Sequence, residues 1–349
     1  MKRLRRSTLA LTLLIFVLTV TFFVSVVLAH SPLIPGNNES LETAMEINDP
    51  SKSWAIYAEL HEGGEAQYYR FNISQGQRIY ISLIKSTAPE DKNFLPGFVL
   101  MGPGITNQTS VPSYVEIPEG SGTLLLNGTQ PSQATYEPFS PGSFYALAEV
   151  DINAPTSGTF YIAVFEPSQG GHYGLAVGYV EEYTLEEWIL IPISLVSVYQ
   201  WEGQSLLVIF APMAITIAAG LGLIVWMRRK LLVPRTLFAW IGALAGLSFL
   251  GTGVTTLFQM VLALTQAPLE SEVILTLIFA LMPILWGIIA LRLSLKSERK
   301  VNLRRRVYLA VIGVVALFTW AGLLFGPALA IVASFLPSRS AAKKPSQPN

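Results

Sequence analysis

Beyond residue 204 the sequence holds four apolar runs, 205–227, 237–264, 273–293 and 307–336, each long enough to cross about 30 Å of hydrocarbon as a helix. A soluble fold has no use for so much continuous apolar chain. The whole sequence is 51% hydrophobic and only 13% charged, and the excess is concentrated in these runs. An α-helical transmembrane bundle of about four helices is therefore expected at the C-terminal end.

The charges between the runs set its orientation. Arg228, Arg229, Lys230 and Arg235 follow the first run, and Arg292, Lys296, Arg299, Lys300, Arg304, Arg305 and Arg306 separate the third from the fourth. The link between the second and third carries only Glu270 and Glu272. Cytoplasmic retention of the basic links puts everything before residue 205 outside the cytoplasm, giving a multi-pass protein of the cell membrane. Four crossings, however, leave the tail 337–349 on the outer side, at odds with its Arg339, Lys343 and Lys344.

The N-terminus agrees with an outward domain. Lys2, Arg3, Arg5 and Arg6 precede an apolar run ending in Val27-Leu28-Ala29, so residues 1–29 read as a cleaved signal peptide or an uncleaved signal anchor. Between domain and bundle, Thr184 and Glu187 form a capping box that opens an apolar stretch interrupted by Pro192. At 184–204 this segment is too short to span and is expected to be an amphipathic or re-entrant helix on the outer surface.

Residues 30–183 carry a different pattern. Tyr69, Phe71 and Ile73 alternate with Arg70 and Asn72; Ile79, Ile81 and Leu83 alternate with Tyr80 and Ser82; Phe160, Ile162 and Val164 alternate with Tyr161 and Ala163. Period-two runs divided by Gly63-Gly64, Gln75-Gly76 and Gly170-Gly171 predict antiparallel strands, hence an all-β extracytoplasmic sandwich. With no cysteine in the chain, that domain must stand on its own core. Four glycosylation sequons, at Asn38, Asn72, Asn107 and Asn127, all fall inside it.

The runs Glu42-Thr43-Ala44-Met45-Glu46-Ile47, Gly64-Glu65-Ala66-Gln67-Tyr68-Tyr69-Arg70-Phe71, Gly158 to Val164 and Gly171-His172-Tyr173-Gly174-Leu175 resemble the bacterial pre-peptidase C-terminal domain family. That resemblance implies a jelly-roll-like sandwich with a noncatalytic accessory role such as adhesion or recognition. The stretch from Pro96 to Pro155 reads as an insertion relative to that compact pattern.

Candidate chemistry is sparse. His61-Glu62-Gly63-Gly64-Glu65 lacks the second histidine of a zinc-protease motif, and its glycines make it a turn. Ser82 and Lys85 match an S-x-x-K spelling, but on a strand they point to opposite faces. Asp49, Glu90, Asp91 and Asp151 are loop acids without ordered calcium-ligand spacing. No catalytic residue, metal or cofactor is expected, and nothing calls for nucleic acid.

In the second apolar run Ser248, Thr252, Thr255 and Gln259 share one helix face, which serves helix packing or part of a hydrophilic path. Gly242 with Gly246 and Gly322 with Gly326 allow close helix approach. The expectation is a nonenzymatic surface protein that binds an envelope glycan or protein, with the lipid bilayer as its other partner. The alternative is a subunit of a membrane transport or channel complex capped by the outer domain.

Overall fold

The computed structural model describes residues 31–33, 35–106, 110–227, 236–296 and 301–336. The expected signal, the tail, Asn107 and parts of both basic links lie outside the described residues.

Eleven strands form two sheets among these residues. In chain order they are β1 Ser31–Leu33, β2 Met45–Glu46, β3 Trp54–Leu60, β4 Ala66–Ile73, β5 Arg78–Ser86, β6 Gly97–Gly102, β7 Gly122–Leu126, β8 Thr135–Glu137, β9 Gly142–Asn153, β10 Gly158–Phe165 and β11 Gly171–Val177. The first sheet runs β1-β3-β11-β5-β9-β8 and the second β2-β4-β10-β6-β7. The alternating residues read from the sequence face each other across one core: Tyr69, Phe71 and Phe160 from the second sheet, Ile79, Ile81, Leu83 and Leu175 from the first. Phe71 and Phe160, cross-strand partners, stack with centroids 6.0 Å apart. The stretch from Pro96 to Pro155 is part of the two sheets. It supplies β6 to β9, and β9 pairs with β5 along nearly its whole length.

Six helices follow. The first, α1 (Leu185–Trp201), opens with the expected capping box: the Glu187 amide donates to Thr184 Oγ1 and the Thr184 amide to the Glu187 carboxylate. Instead of lying on a surface with one apolar face, α1 is wedged between the outer side of the first sheet and the other helices. Val198 and Trp201 meet the sheet, whereas Ile191 clusters with Phe279, Met282 and Trp320. Leu185 and Ile193 stay exposed.

Among the described residues three helices are long and apolar enough to cross a membrane: α2 (Leu206–Met227), α3 (Leu237–Ala263) and α4 (Val273–Leu295). Glycines bring α3 and α4 together, because a Cβ on Gly246 would lie 3.0 Å from the Gly287 carbonyl oxygen and one on Gly287 2.7 Å from that of Gly246. The expected fourth span is not one helix. It is α5 (Leu303–Phe318) and α6 (Phe325–Phe335), joined by a turn. At 1.5 Å per residue they reach only about 24 and 16 Å, short of a full crossing. They pack antiparallel: Gly313 meets Pro327, Ala330 and Ile331, and the Arg306 guanidinium donates to the Ser334 carbonyl at 2.8 Å. The chain thus leaves α6 on the side where α5 began.

Pro192 and this turn solve each other's backbone problem. Pro192 has no N–H for the Trp188 carbonyl one helical turn back. Trp320 Nε1 donates to that carbonyl at 2.8 Å, and Trp188 Nε1 donates to the Phe318 carbonyl at 3.1 Å at the end of α5. The Gly322 amide, in a turn with φ +75°, donates to Thr252 Oγ1 at 2.8 Å. Trp320 and Leu323 hold positive φ, 53° and 54°, a conformation costing about 1–3 kcal/mol each for ordinary residues. Stacking of Trp320 on Phe279 (5.3 Å) and Trp188 (4.7 Å) offsets it.

A hairpin that returns places single cysteines at Lys296 and Leu336 on one side of the membrane. An impermeant maleimide should label both from the same side in sealed vesicles of this otherwise cysteine-free chain; opposite labelling would restore a fourth crossing. Trp320→Phe keeps the ring but orphans the Trp188 carbonyl, so it should cost about 1–3 kcal/mol of stability. In a Pro192→Ala background, where a helical N–H returns, that cost should largely vanish; additive losses in the double-mutant cycle would refute the exchange.

Candidate functional site at the sandwich–bundle junction

Because α1 lies under the first sheet, its two flanks border open space. On one flank a groove of about 510 Å³ is walled by Glu59, His61 and His172 of the sandwich and by Ser194, Ser197 and Gln200 of α1. Its floor is built in advance by a buried chain of hydrogen bonds. Tyr69 and Tyr173 share a hydroxyl contact of 2.6 Å, Tyr173 donates to Gln67 Oε1 at 2.6 Å, and Gln67 donates to the Glu59 carbonyl at 2.7 Å. His172 stands beside buried Asp91, whose carboxylate accepts from the His172 amide at 3.0 Å and lies 3.2 Å from Nδ1. The Asp91 hydrogen bond holds the His172 pKa above its ordinary value, although burial opposes it. The groove therefore offers an imidazole inclined to be cationic, the Glu59 carboxylate and several hydroxyl and amide groups.

A second, apolar cavity of about 90 Å³ lies beneath α1. Phe139 and Pro141 of the β8–β9 loop, Tyr199 of α1 and the hairpin turn close it, and Thr252, Thr255 and Thr256 of α3 reach it. The polar face read from the sequence is thereby divided. Ser248 is fully buried and bonds the Leu244 carbonyl of its own helix. Thr252 holds the hairpin turn. Gln259, also fully buried, exchanges two amide hydrogen bonds of 2.8 Å with Gln204 in the α1–α2 link. Of these four residues of α3, Thr255 is the one whose buried hydroxyl has no hydrogen-bond partner.

Other sequence candidates serve the fold. His61 and Glu62 lie at the β3–β4 turn, where both amides donate to the Glu65 carboxylate. Lys85 is buried and donates to the carbonyls of Asp91, Lys92 and Phe94, with no bond to Ser82. Asp49 caps its own turn through Ser51, and Asp151 pairs with Arg78 through two 2.8 Å bonds. Among the described residues no three His, Asp or Glu side chains converge as metal ligands would. Of the sequons, Asn72 and Asn127 are exposed, whereas Asn38 is 2% exposed and donates to the Tyr68 carbonyl, so it packs the domain and leaves no room for a glycan.

The sequence reading passed over two carboxylates at the joint. Glu137 ends β8 and accepts from the Phe139 amide at 2.9 Å; Glu202 caps α1 and accepts from the Ser143 amide and Gln204. Both are ringed by protein yet keep some surface open to adjoining space. Burial pushes Glu137 up to about 7, with the charge of Glu181 adding to the effect, and Glu202 up to about 8, with Glu137 adding there. An isolated Glu in a turn gives no sequence signal for this, since the burial comes from α1 folding over it.

No family model matches this sequence, and no curated protein matches it. Among solved structures, a mercury-soaked form of MopE aligns with it at 17% identity over 34% of this chain and 60% of that chain, with a TM-score of 0.09. MopE is a secreted protein of Methylococcus capsulatus in which an oxidised tryptophan facilitates copper binding, and the chain spans less than two-thirds of its length.

The raised carboxyls give the joint a pH dependence of known sign. Unfolded, both groups release protons near pH 4.5; folded, they hold them to about 7 and 8. The stability from their neutral forms is complete below pH 4.5 and is lost as pH rises through 8. Full-length protein in nanodiscs should have a lower Tm at pH 8.5 than at pH 5.5, and Glu137→Gln with Glu202→Gln should flatten the difference. A Tm that rises with pH would contradict this.

Proposed function

We propose that the chain is a nonenzymatic cell-surface membrane protein whose β domain captures an envelope glycan or protein at the membrane surface and is held there by its helical bundle. The observation that carries this reading is the groove of about 510 Å³ between the first sheet and α1. One wall belongs to the outer domain and the other to a helix fixed to the bundle, so the ligand is gripped where domain and membrane meet. Trp201 and Tyr57 supply flat apolar surface, and Glu59, Gln67 and Gln200 supply planar polar groups. Sugar rings present that same pairing of apolar faces and hydroxyl edges, which favours a glycan.

Orientation follows the charges. With three spans and a returning hairpin, both basic links and the basic tail share one side, and the disagreement raised by a fourth crossing disappears. The ectodomain then lies opposite, with Asn72 and Asn127 exposed for glycosylation. The two-sheet arrangement supports the jelly-roll-like reading and the accessory role implied by the pre-peptidase C-terminal resemblance. The transport-subunit alternative rests on fewer residues than the sequence offered, because Ser248 and Gln259 are tied up in packing.

Full-length protein in nanodiscs, screened against envelope oligosaccharides on an array, should retain a subset of them. Ser197→Trp fills the groove from α1 and should abolish retention. Glu59→Gln should weaken it about tenfold, the loss of one charged hydrogen bond. Retention that survives Ser197→Trp would remove the groove from the function.

A further inference from the structure

Beside the groove, the same face of α1, through Val198 and Trp201, closes a further cavity of about 200 Å³ against the first sheet. Its walls are aromatic, with Tyr57 from β3, Tyr80 from β5, Phe144 from β9 and Trp201 from α1, and Glu137 is the one acidic side chain among them. Tyr57 and Trp201, in edge contact at 5.1 Å, also line the polar groove and so form the partition between the two spaces.

No cationic side chain lines this cavity, although Arg78 lies over the Tyr80 ring from outside it, 5.1 Å from the centroid. Glu137 forms no salt bridge among the described residues, and neither does neighbouring Glu202. The Phe139 and Ser140 amides donate to the Glu137 carboxyl, which still retains surface open to its surroundings. A buried carboxylate without a base is costly, and aromatic rings add negative potential at their faces. Such a space lowers its free energy by taking in a cation that tolerates an apolar wall. A metal ion does not fit that description, because Ser82 is the only other oxygen donor besides tyrosine hydroxyls and main-chain carbonyls. An ammonium ion carrying methyl groups does.

We infer that this cavity is a binding site for a small organic ammonium ion of about the size of choline, held by Glu137 and the faces of Tyr57, Tyr80, Phe144 and Trp201. Its place beside a helix that borders the membrane-spanning helices admits two sources of the same chemistry, a free cation or the headgroup of a lipid. The inference does not rest on the groove binding a glycan, since Glu137, Tyr80 and Phe144 line the cavity and not the groove.

The test uses full-length protein in nanodiscs made only of phosphatidylglycerol at pH 8.5, where Glu137 is ionised. Choline is titrated while calorimetry and tryptophan fluorescence are followed. Saturable one-to-one binding is expected, absent when sodium chloride of equal ionic strength replaces choline. Glu137→Gln should weaken it at least about tenfold, the worth of one desolvated cation contact. Ala176→Leu fills the cavity from the sheet without touching the carboxylate and should also abolish binding, so a folding defect in either variant does not decide the matter. In nanodiscs containing phosphatidylcholine, loss of the free-choline signal together with retention of that lipid through detergent exchange identifies the headgroup as the source, and an unchanged signal identifies the free ion. Absence of saturable binding in both lipid compositions, or binding unchanged in both variants, overturns the inference.

Discussion

A backbone carbonyl released from its helix and shut away from water must find another donor, and in this protein two such carbonyls are closed by a pair of exchanged tryptophans. Pro192 frees the Trp188 carbonyl in α1, and the end of α5 frees that of Phe318. The indole of each tryptophan serves the carbonyl belonging to the other segment. This contact ties α1 to the last pair of helices. It lets the last apolar run stop and return, and it fixes α1 at the bundle. Since the first sheet rests on α1, it also sets where the sandwich sits.

Other joints extend the same rule. Thr276 on α4 donates to the Pro138 carbonyl and shares a 2.7 Å hydroxyl contact with Tyr136, fixing the β8–β9 region to the bundle. Lys52 pairs with Glu187 at 2.6 Å, tying β3's approach to the start of α1. Trp201 Nε1 donates to the Tyr173 carbonyl at 3.0 Å. Sandwich and bundle are thus held through buried, directional contacts at several points, and a relative motion of the two would have to break several at once.

What could be read beforehand divides along physical lines. Strands such as β4, β5 and β10 were legible because each has one face in the shared core and one turned away, which writes a period of two into the sequence. Strand β6 is buried on both faces, so it shows no alternation, and the region around it resembled an insertion. The capping box of α1 is local and survived into the structure. The surroundings of α1 are not local, and a helix covered on two flanks carries no single apolar stripe. Residues 307–336 looked continuous because hydropathy measures transfer into lipid and is blind to backbone direction. The break is written in Trp320, Gly322 and Pro192, whose roles exist only once two distant segments meet. Glu137 and Glu202 were silent for the same reason, as was Gly287, the glycine that completes the close approach to Gly246.

The polar residues of α3 show how a hydrophilic stripe in a membrane helix can serve mechanics instead of passage. Ser248 bonds its own helix, Thr252 holds the hairpin turn, and Gln259 locks the link that leads out of α1. Each hydroxyl or amide thereby holds an element that would otherwise be free to shift. Helix α1 is the common member: its sheet-facing side borders both the polar groove and the aromatic cavity, and Trp188 at its start holds the hairpin. A ligand that parts the sheet from α1 therefore pushes on the same helix that keeps the bundle closed.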